Sequence, residues 1–526
     1  MFKLSRSCPL VESFQSTNQE RFLFFLTFIL STDVFIKLFL TFPHENSSLV
    51  VLTLCLVIAA YFGKSQLKIN VGIKPDVHEN NRKYLKRTIS ISSDTASKTD
   101  NSDDSLDRQK ELEIIQKLSR NELKTRNLEY MFPSNLTRAV MLRRKDLQQR
   151  ISNPLVFDRI PYENYDYKSI FGQCCEEVIG YVPIPLGKAG PLLIDGRYHY
   201  IPMSTTEGCL VASVNRGSRV ISMSGGTRTA VYRDGMTRAP VVQFPTINKV
   251  VECIAWLQSK EGFQEIKTVF DSTSGHANLK SIYTCPVGRY LHIRFSSGTG
   301  DAMGMNIVSK ATELSLTTIQ KFFPQMKVIS LSGNMCTDKK PASINYILGR
   351  GKSVLVEAEI SAENLAKMLN TSPHRLAHLS VIKNYIGSSF AGGSGMSAFN
   401  AHSANIVAAI FAATGQDLAQ VIDESETREP HLILQVTMPC LEVATIGGGT
   451  RLSTQKACLE LMDLDVEQPT EHLARIIAST VMAVNQDLVS AHLKLNRSKM
   501  NSFKNSSRNR QSSTSYSKPD LKHPIM

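Results

Sequence analysis

An α+β or mixed α/β body behind an N-terminal membrane segment is the architecture the sequence predicts, and three observations carry it. Apolar runs of strand length at 290–295, 353–360 and 433–438 are interleaved with runs of helical spacing at 305–322, 404–413 and 473–484. Glycines cluster at the joins, as Gly225-Gly226, Gly392-Gly393 and Gly447-Gly448-Gly449. Two apolar stretches, 22–42 and 49–63, precede this body. The 526 residues leave room for several domains of roughly 100–200 residues each.

The first stretch, FLFFLTFILSTDVFIKLFLTF, has 21 residues, enough to cross a hydrocarbon core of about 30 Å. A cleaved signal peptide fits poorly, because the run is too long and starts too late. The second stretch rises about 22 Å and reaches the same thickness only if residues 46–48 join it. Lys64, Lys68, Lys74, Arg82, Lys83, Lys86 and Arg87 follow, placing that side in the cytosol. Asp33 and Lys37, at i and i+4, are either a neutralising pair on one helix face or the remnant of a larger bundle.

Residues 64–108 are polar, end in a Ser/Asp-rich run and predict a flexible tether. Beyond it, Leu112, Ile115, Leu118 and Leu123 follow a helical spacing, and an Arg-rich helix covers 136–151; both are expected at the surface. The net charge of +13 is concentrated at the C-terminus, where residues 492–526 hold eight Lys/Arg against Asp520. With the body only mildly basic, no nucleic-acid partner is expected. Residues 499–526 are a basic tail, disordered by composition. The ten cysteines form no CxxC or Cys/His ligand spacing, so neither a disulfide framework nor a metal site is predicted.

Two glycine motifs fail on spacing. Gly349-Arg350-Gly351-Lys352-Ser353 lacks the first glycine of a phosphate loop, since Tyr346 occupies its place. Residues 298–304, GTGDAMG, have one residue too many for a dinucleotide fingerprint. Other segments set polar groups among small or apolar residues. Glu207 in MSTTEGCLVAS is either a helix N-terminal residue or, if buried, a carboxyl that keeps its proton nearer neutrality. Lys339 and Lys340 in SGNMCTDKKP either lie in a solvated loop or clamp an oxyanion or acidic substrate. Asp417 stands alone at the end of an apolar helix.

Together these segments resemble a known family. EEVIGYVPIPLGKAGP, TTEGCLVASVNRG, DGMTRAPVV, GDAMGMN, SGNMCTDKKPASIN, NAHSANIVAAI, GQD, TMPCLEVATIGGGT and HLKLNRSK occur in order between residues 109 and 499. They resemble the catalytic portion of 3-hydroxy-3-methylglutaryl-coenzyme A (HMG-CoA) reductase of the eukaryotic membrane-anchored class. The resemblance implies reduction of HMG-CoA to mevalonate and CoA with two NADPH, in the endoplasmic reticulum membrane, with the catalytic part in the cytosol. It matches Glu207, Lys339, Asp417 and His492 to catalytic residues. It matches Arg238, Ser332, Lys340, Lys383, His402 and Asn405 to groups around HMG, and Asn215 and Arg216 to groups near CoA. Asp301, Ala302, Met303, Gly304, Met305, Asn306, Gly447 and Gly448 would bind NADPH, and Ser498 matches a regulatory phosphosite. The implied α+β fold has a helical N-domain (109–175), a large HMG-CoA-binding domain (176–239 and 330–498) and an inserted ferredoxin-like cofactor domain (240–329). The implied assembly is a homodimer or homotetramer with shared active sites, held to membrane lipid by the hairpin 1–63.

The chain departs from the pattern in three places. It is shorter between Asp417 and Thr437 and between Met482 and His492, which opens the alternative of a catalytically impaired protein on the same fold. Gly275 stands where the eukaryotic pattern places an arginine available to the 2′-phosphate of NADPH.

Overall fold

The computed structural model describes residues 102–369, 371–391, 400, 402–421, 426–428 and 433–483. The spans at 22–42 and 49–63, the tail 499–526, His492 and Ser498 lie outside the described residues. Among those described, no helix is long and apolar enough to cross a membrane.

Helix α1 (Ser102–Ser119) starts inside the predicted tether. Ile115 and Leu118 are buried against Leu128, Ala139 and Leu142, whereas Leu112, expected on the same face, is exposed. Helix α2 (Leu136–Arg150) is capped by Asn135, whose side chain accepts from the Arg138 amide at 3.1 Å. It is not the surface helix its arginines suggest. Arg143 and Arg144 are buried and donate to the carbonyls of Val178 (2.6 Å), Ile179 (2.7 Å) and Phe157 (2.6 Å). The Val178 and Ile179 carbonyls lie in irregular chain, where the guanidinium forks satisfy them, and the Phe157 carbonyl, in a 3-10 turn, accepts from the Ile160 amide (3.3 Å) as well as from Arg144.

Strands β1 (Leu186–Ile194) and β2 (Arg197–Ser204) form an antiparallel hairpin. Its two-residue turn, Asp195-Gly196, has positive φ at both positions (47° and 84°), the combination that matches strand twist. Helix α3 (Leu210–Met223) packs on the hairpin through Leu210, Val214, Val220 and Ile221. Strand β3 (Arg228–Arg238) then enters the main sheet.

An inserted unit follows: β4 (Val241–Gln243), α4 (Ile247–Gln258), α5 (Lys260–Asp271), β5 (Asn278–Val287), β6 (Tyr290–Gly298), α6 (Met305–Phe322) and β7 (Lys327–Ser330). Its strands lie in the order β7-β4-β6-β5, all antiparallel. Apart from the break between α4 and α5, this is the split βαβ, ferredoxin-like arrangement. Phe244, Ile266, Phe270, Leu291, Phe295 and Ile319 form its own core.

The chain returns through α7 (Ser343–Leu348), β8 (Gly351–Glu359), α8 (Ala362–Leu369), α9 (Pro373–Ser380) and a π-helical turn, Val381–Gly387. Helix α10 (Ala404–Thr414), β9 (Glu426–Arg428), β10 (Ile433–Leu441), α11 (Ser453–Leu461) and α12 (Pro469–Ala483) complete it. The continuous sheet runs β6-β3-β8-β10-β9, so β3 links the inserted unit to the larger body. Helix α12 is the centre of the large core; burying Leu473, Ile476 and Ile477 contributes about 1.5–3 kcal/mol each. It meets α3 at Gly217, where a Cβ would lie 1.4 Å from the Ala483 carbonyl oxygen, so only glycine permits the crossing.

Candidate active site

The loop at 332–341 follows β7 and carries three non-glycine residues with positive φ: Asn334 (61°), Thr337 (55°) and Lys339 (57°). A β-branched residue there costs on the order of 1–3 kcal/mol and persists only if its surroundings hold it. Thr337 is held through its hydroxyl contacts with Asn345 and the Cys336 carbonyl, which also accepts from Thr237 Oγ1 at 3.1 Å. The outcome is Lys339 Nζ 3.0 Å from Asp417 Oδ2, with both side chains partly exposed.

Asp417 is placed by α10. Gly415 ends that helix in the left-handed region (φ 70°), and its backbone abuts Gly449, where a Cβ would meet the carbonyl oxygen at 2.2 Å. Asp417 then caps the 3-10 turn Leu418–Gln420, its Oδ1 accepting from the Ala419 amide at 3.1 Å. Beneath the ion pair, Gln420 Nε2 and an Arg350 terminal nitrogen both donate to Asp338 Oδ1, at 2.8 and 3.0 Å. Burial raises the Asp338 pKa, but the Gln420 hydrogen bond and the Arg350 and Arg238 charges outweigh it, and the carboxyl lies below its ordinary range.

Glu207 sits at the other end of α10. Asn405 Nδ2 donates to both its carboxylate oxygens, at 3.1 and 3.2 Å, and Asn405 Oδ1 lies 3.1 Å from His402 Nδ1. Of the two readings of Glu207, the structure gives the helix N-terminal one and not the buried one. Glu207 precedes α3 in an open turn, so its side chain is exposed and is positioned by Asn405 rather than by a core. With α10 between them, the Glu207 and Lys339 clusters are separated by about 16 Å of helix rise.

The remaining candidates divide into groups. Arg238 donates to Ser309 Oγ at 3.0 and 2.8 Å, while Ser332 Oγ lies 3.2 Å from Cys336 Sγ. Burial raises the Cys336 pKa; the Ser332 hydroxyl, the Asp338 and Ala239 amides and the Arg238 charge more than reverse this and lower it. Lys340 Nζ donates to the Asp338 carbonyl at 2.5 Å. Lys383 stands in the π-helical turn, and Asn215 and Arg216 on α3, where Asn215 reaches the Lys188 carbonyl at 3.5 Å.

The two proposed cofactor segments meet through their backbones. The Asp301 carbonyl accepts from the amides of Thr445 (2.9 Å) and Ile446 (3.3 Å), and Ala302 bridges Ile446 in parallel. Gly304 (φ 87°) leads into α6, so the Met305 and Asn306 amides open an 18-residue helix. A Cβ at Gly447 or Gly448 would meet nothing within 4 Å, and both have positive φ. The Gly447-Gly448 turn is thus open glycine backbone, joined through Ile446 to the segment that leads into α6, and such backbone admits the close approach of a ligand.

Arg350, Gln420 and Glu442 went unmarked in the sequence. The one signal was an arginine at the head of an apolar strand, inside the rejected GRGKS motif. Lys352 of that motif instead pairs with Asp234 at 2.7 Å, and Ser353 donates to the Pro439 carbonyl at 2.7 Å.

Comparison with known proteins identifies the family. The family model for hydroxymethylglutaryl-coenzyme A reductase matches residues 139–497. The 3-hydroxy-3-methylglutaryl-coenzyme A reductase of Schistosoma mansoni is 60% identical over 404 residues, covering 74% of this chain and 42% of that protein. That of Xenopus laevis is 46% identical over 413 residues, covering 74% of this chain and 46% of its own length. The chain thus spans less than half the length of these two relatives. Reductase 2 of Dictyostelium discoideum is 43% identical over 451 residues, covering 74% of this chain and 85% of that protein. With the match taking in the Glu207 turn, the Lys339 loop, α10 and the Gly447 turn, the chain belongs to the hydroxymethylglutaryl-coenzyme A reductase family.

Proposed function

We propose that the chain reduces HMG-CoA to mevalonate and CoA, using two molecules of NADPH. The observation that carries this reading is the Lys339–Asp417 ion pair at 3.0 Å on a strained loop. Reduction of a thioester carbonyl builds negative charge on oxygen, and an ammonium held by a carboxylate is suited to stabilise it. The 301–306 segment with Gly447 and Gly448 would hold NADPH, which would supply the hydride for each reduction. Glu207, oriented by Asn405 and His402, donates a proton to the second alkoxide. His492 protonates the departing CoA thiolate. Arg238, Ser332, Lys340, Lys383, His402 and Asn405 surround the HMG moiety, and Asn215 and Arg216 approach CoA.

We assign the helical domain to 109–175, the substrate domain to 176–239 and 330–498, and the cofactor domain to 240–329. The wide separation of the Glu207 and Lys339 clusters supports active sites shared between subunits of a homodimer or homotetramer. Exposed Val182, Ile184 and Leu186 would lie at that contact. Spans 22–42 and 49–63 anchor the chain in the endoplasmic reticulum membrane with the catalytic part in the cytosol, and Ser498 is its regulatory phosphosite.

The test is HMG-CoA-dependent oxidation of NADPH and NADH by the full chain in detergent, with Lys339→Ala as control. Turnover that the control loses is the expected result. A folded oligomer inactive with both cofactors would overturn the reading and favour the impaired alternative.

A further inference from the structure

Arg350 precedes β8 and is fully buried. Its guanidinium reaches five segments. Nε donates to Thr237 Oγ1 at 3.1 Å; one terminal nitrogen meets Glu442 Oε1 and Gln420 Oε1, the latter at 3.3 Å. The other donates to Asp338 Oδ1 at 3.0 Å and lies 3.1 Å from Met305 Sδ. Gln420 Nε2 closes the ring on Asp338 Oδ1 at 2.8 Å. Each partner except Glu442 lies in, or within three residues of, the proposed machinery. Asp338 precedes Lys339, Thr237 precedes Arg238, Gln420 lies three residues after Asp417, and Met305 belongs to the cofactor segment.

Lys339 and Asp417 are too exposed for their attraction alone to fix where they sit. Their register must come from the backbones that carry them, and both backbones are tied to this one buried group. We propose that Arg350 is a positioning residue: it locks the Lys339 loop and the Asp417 turn into register and ties both to the start of α6. The inference rests on the reading of Lys339 and Asp417 given above. Lysine cannot replace the group, because an ammonium offers three donors from one point, whereas Arg350 spreads donors across a plane to partners on several sides.

The test uses the full chain in detergent, with Arg350→Lys and, as a milder variant, Gln420→Met, which removes the bridge without altering the buried charges. Three quantities are read: thermal midpoint, kcat and KM for HMG-CoA, and the rate of amine labelling of Lys339 relative to exposed Lys321, by mass spectrometry. A shift of about 1 Å at Lys339 predicts kcat lower by on the order of 100-fold for Arg350→Lys, with KM within about threefold. Gln420→Met should fall about tenfold, and in both variants Lys339 should label several-fold faster. Folded variants with wild-type kcat and wild-type labelling would overturn the proposal, as would a rise in KM alone. If Arg350→Lys does not fold, Gln420→Met decides by the same criteria. If the wild type shows no turnover, the reductase reading fails, and unchanged or accelerated Lys339 labelling still decides the positioning role.

Discussion

Replacing Lys339 by alanine should separate catalysis from stability. The Lys339–Asp417 pair spans 3.0 Å with the two side chains 50% and 32% exposed. An ion pair so open to solvent contributes about 0–1 kcal/mol to folding, and Asp417 keeps its cap on Ala419 without it. Lys339 also occupies left-handed backbone, so Lys339→Gly relieves about 1 kcal/mol of strain while losing a similar amount to added chain entropy. Catalysis is affected differently. A unit charge about 3 Å from a developing oxyanion, at an effective permittivity of about 40 for a half-exposed site, is worth about 3 kcal/mol. That corresponds to roughly 100-fold in kcat. The expected pattern is a urea midpoint near the wild type for both variants, with HMG-CoA-dependent NADPH oxidation lower by about 100-fold or more. A folded Lys339→Ala enzyme keeping over about a tenth of wild-type kcat would refute the oxyanion role.

Gly415→Ala should destabilise the protein by about 2–4 kcal/mol, because its φ of 70° is unfavourable to alanine and a Cβ would lie 2.2 Å from the Gly449 carbonyl oxygen. Chemical denaturation measures it, and a loss under about 1 kcal/mol would show that the contact relaxes freely. Gly275→Arg meets open space, since a Cβ there has nothing within 4 Å. The preference in kcat/KM for NADPH over NADH should rise by roughly tenfold, the worth of one charge-assisted hydrogen bond. An unchanged ratio would place the 2′-phosphate elsewhere. His472 is held below its ordinary pKa by burial, and next by the His199, Arg197 and Arg475 charges, against the opposing pull of Asp465. Its Nδ1 accepts from the Asp465 amide at 2.8 Å, a bond that protonation breaks. The unfolded chain therefore takes up the proton first: the contribution is intact above about pH 6.5 and is lost as pH falls from there toward the folded value. Urea midpoints at pH 7.5 and 5.5 should differ less in His472→Asn than in the wild type.

Local pattern carried some elements and missed others for identifiable reasons. The strands around 290–295, 353–360 and 433–438 were legible because short apolar runs of six to eight residues suit a strand better than a helix. Helix α10 was legible as an apolar run closed by Gly415. What local pattern lacks is tertiary burial. Arginines 143 and 144 read as solvent-facing because nothing nearby shows which carbonyls they will satisfy. Glu207 could not be assigned to a core or to a helix start, because small neighbours suit a packed interior and an open turn alike. Arg350 was the hardest, since its partners Thr237, Glu442, Gln420 and Met305 lie 113, 92, 70 and 45 residues away. Lys339 and Asp417 were singled out by the order of nine segments, while their 3.0 Å contact needed the fold.

Gly415 and Gly449 press backbone against backbone, each so close that the other leaves no room for a Cβ. A contact between side chains can take up a shift by changing rotamers; a contact without side chains is a rigid strut. Movement of the Gly447-Gly448-Gly449 turn by a few tenths of an ångström is therefore delivered nearly undiminished to the end of α10 and, two residues on, to Asp417. The turn that would cradle a nucleotide and the carboxylate that steadies the lysine behave as opposite ends of one short lever, and whatever settles the first also sets the second.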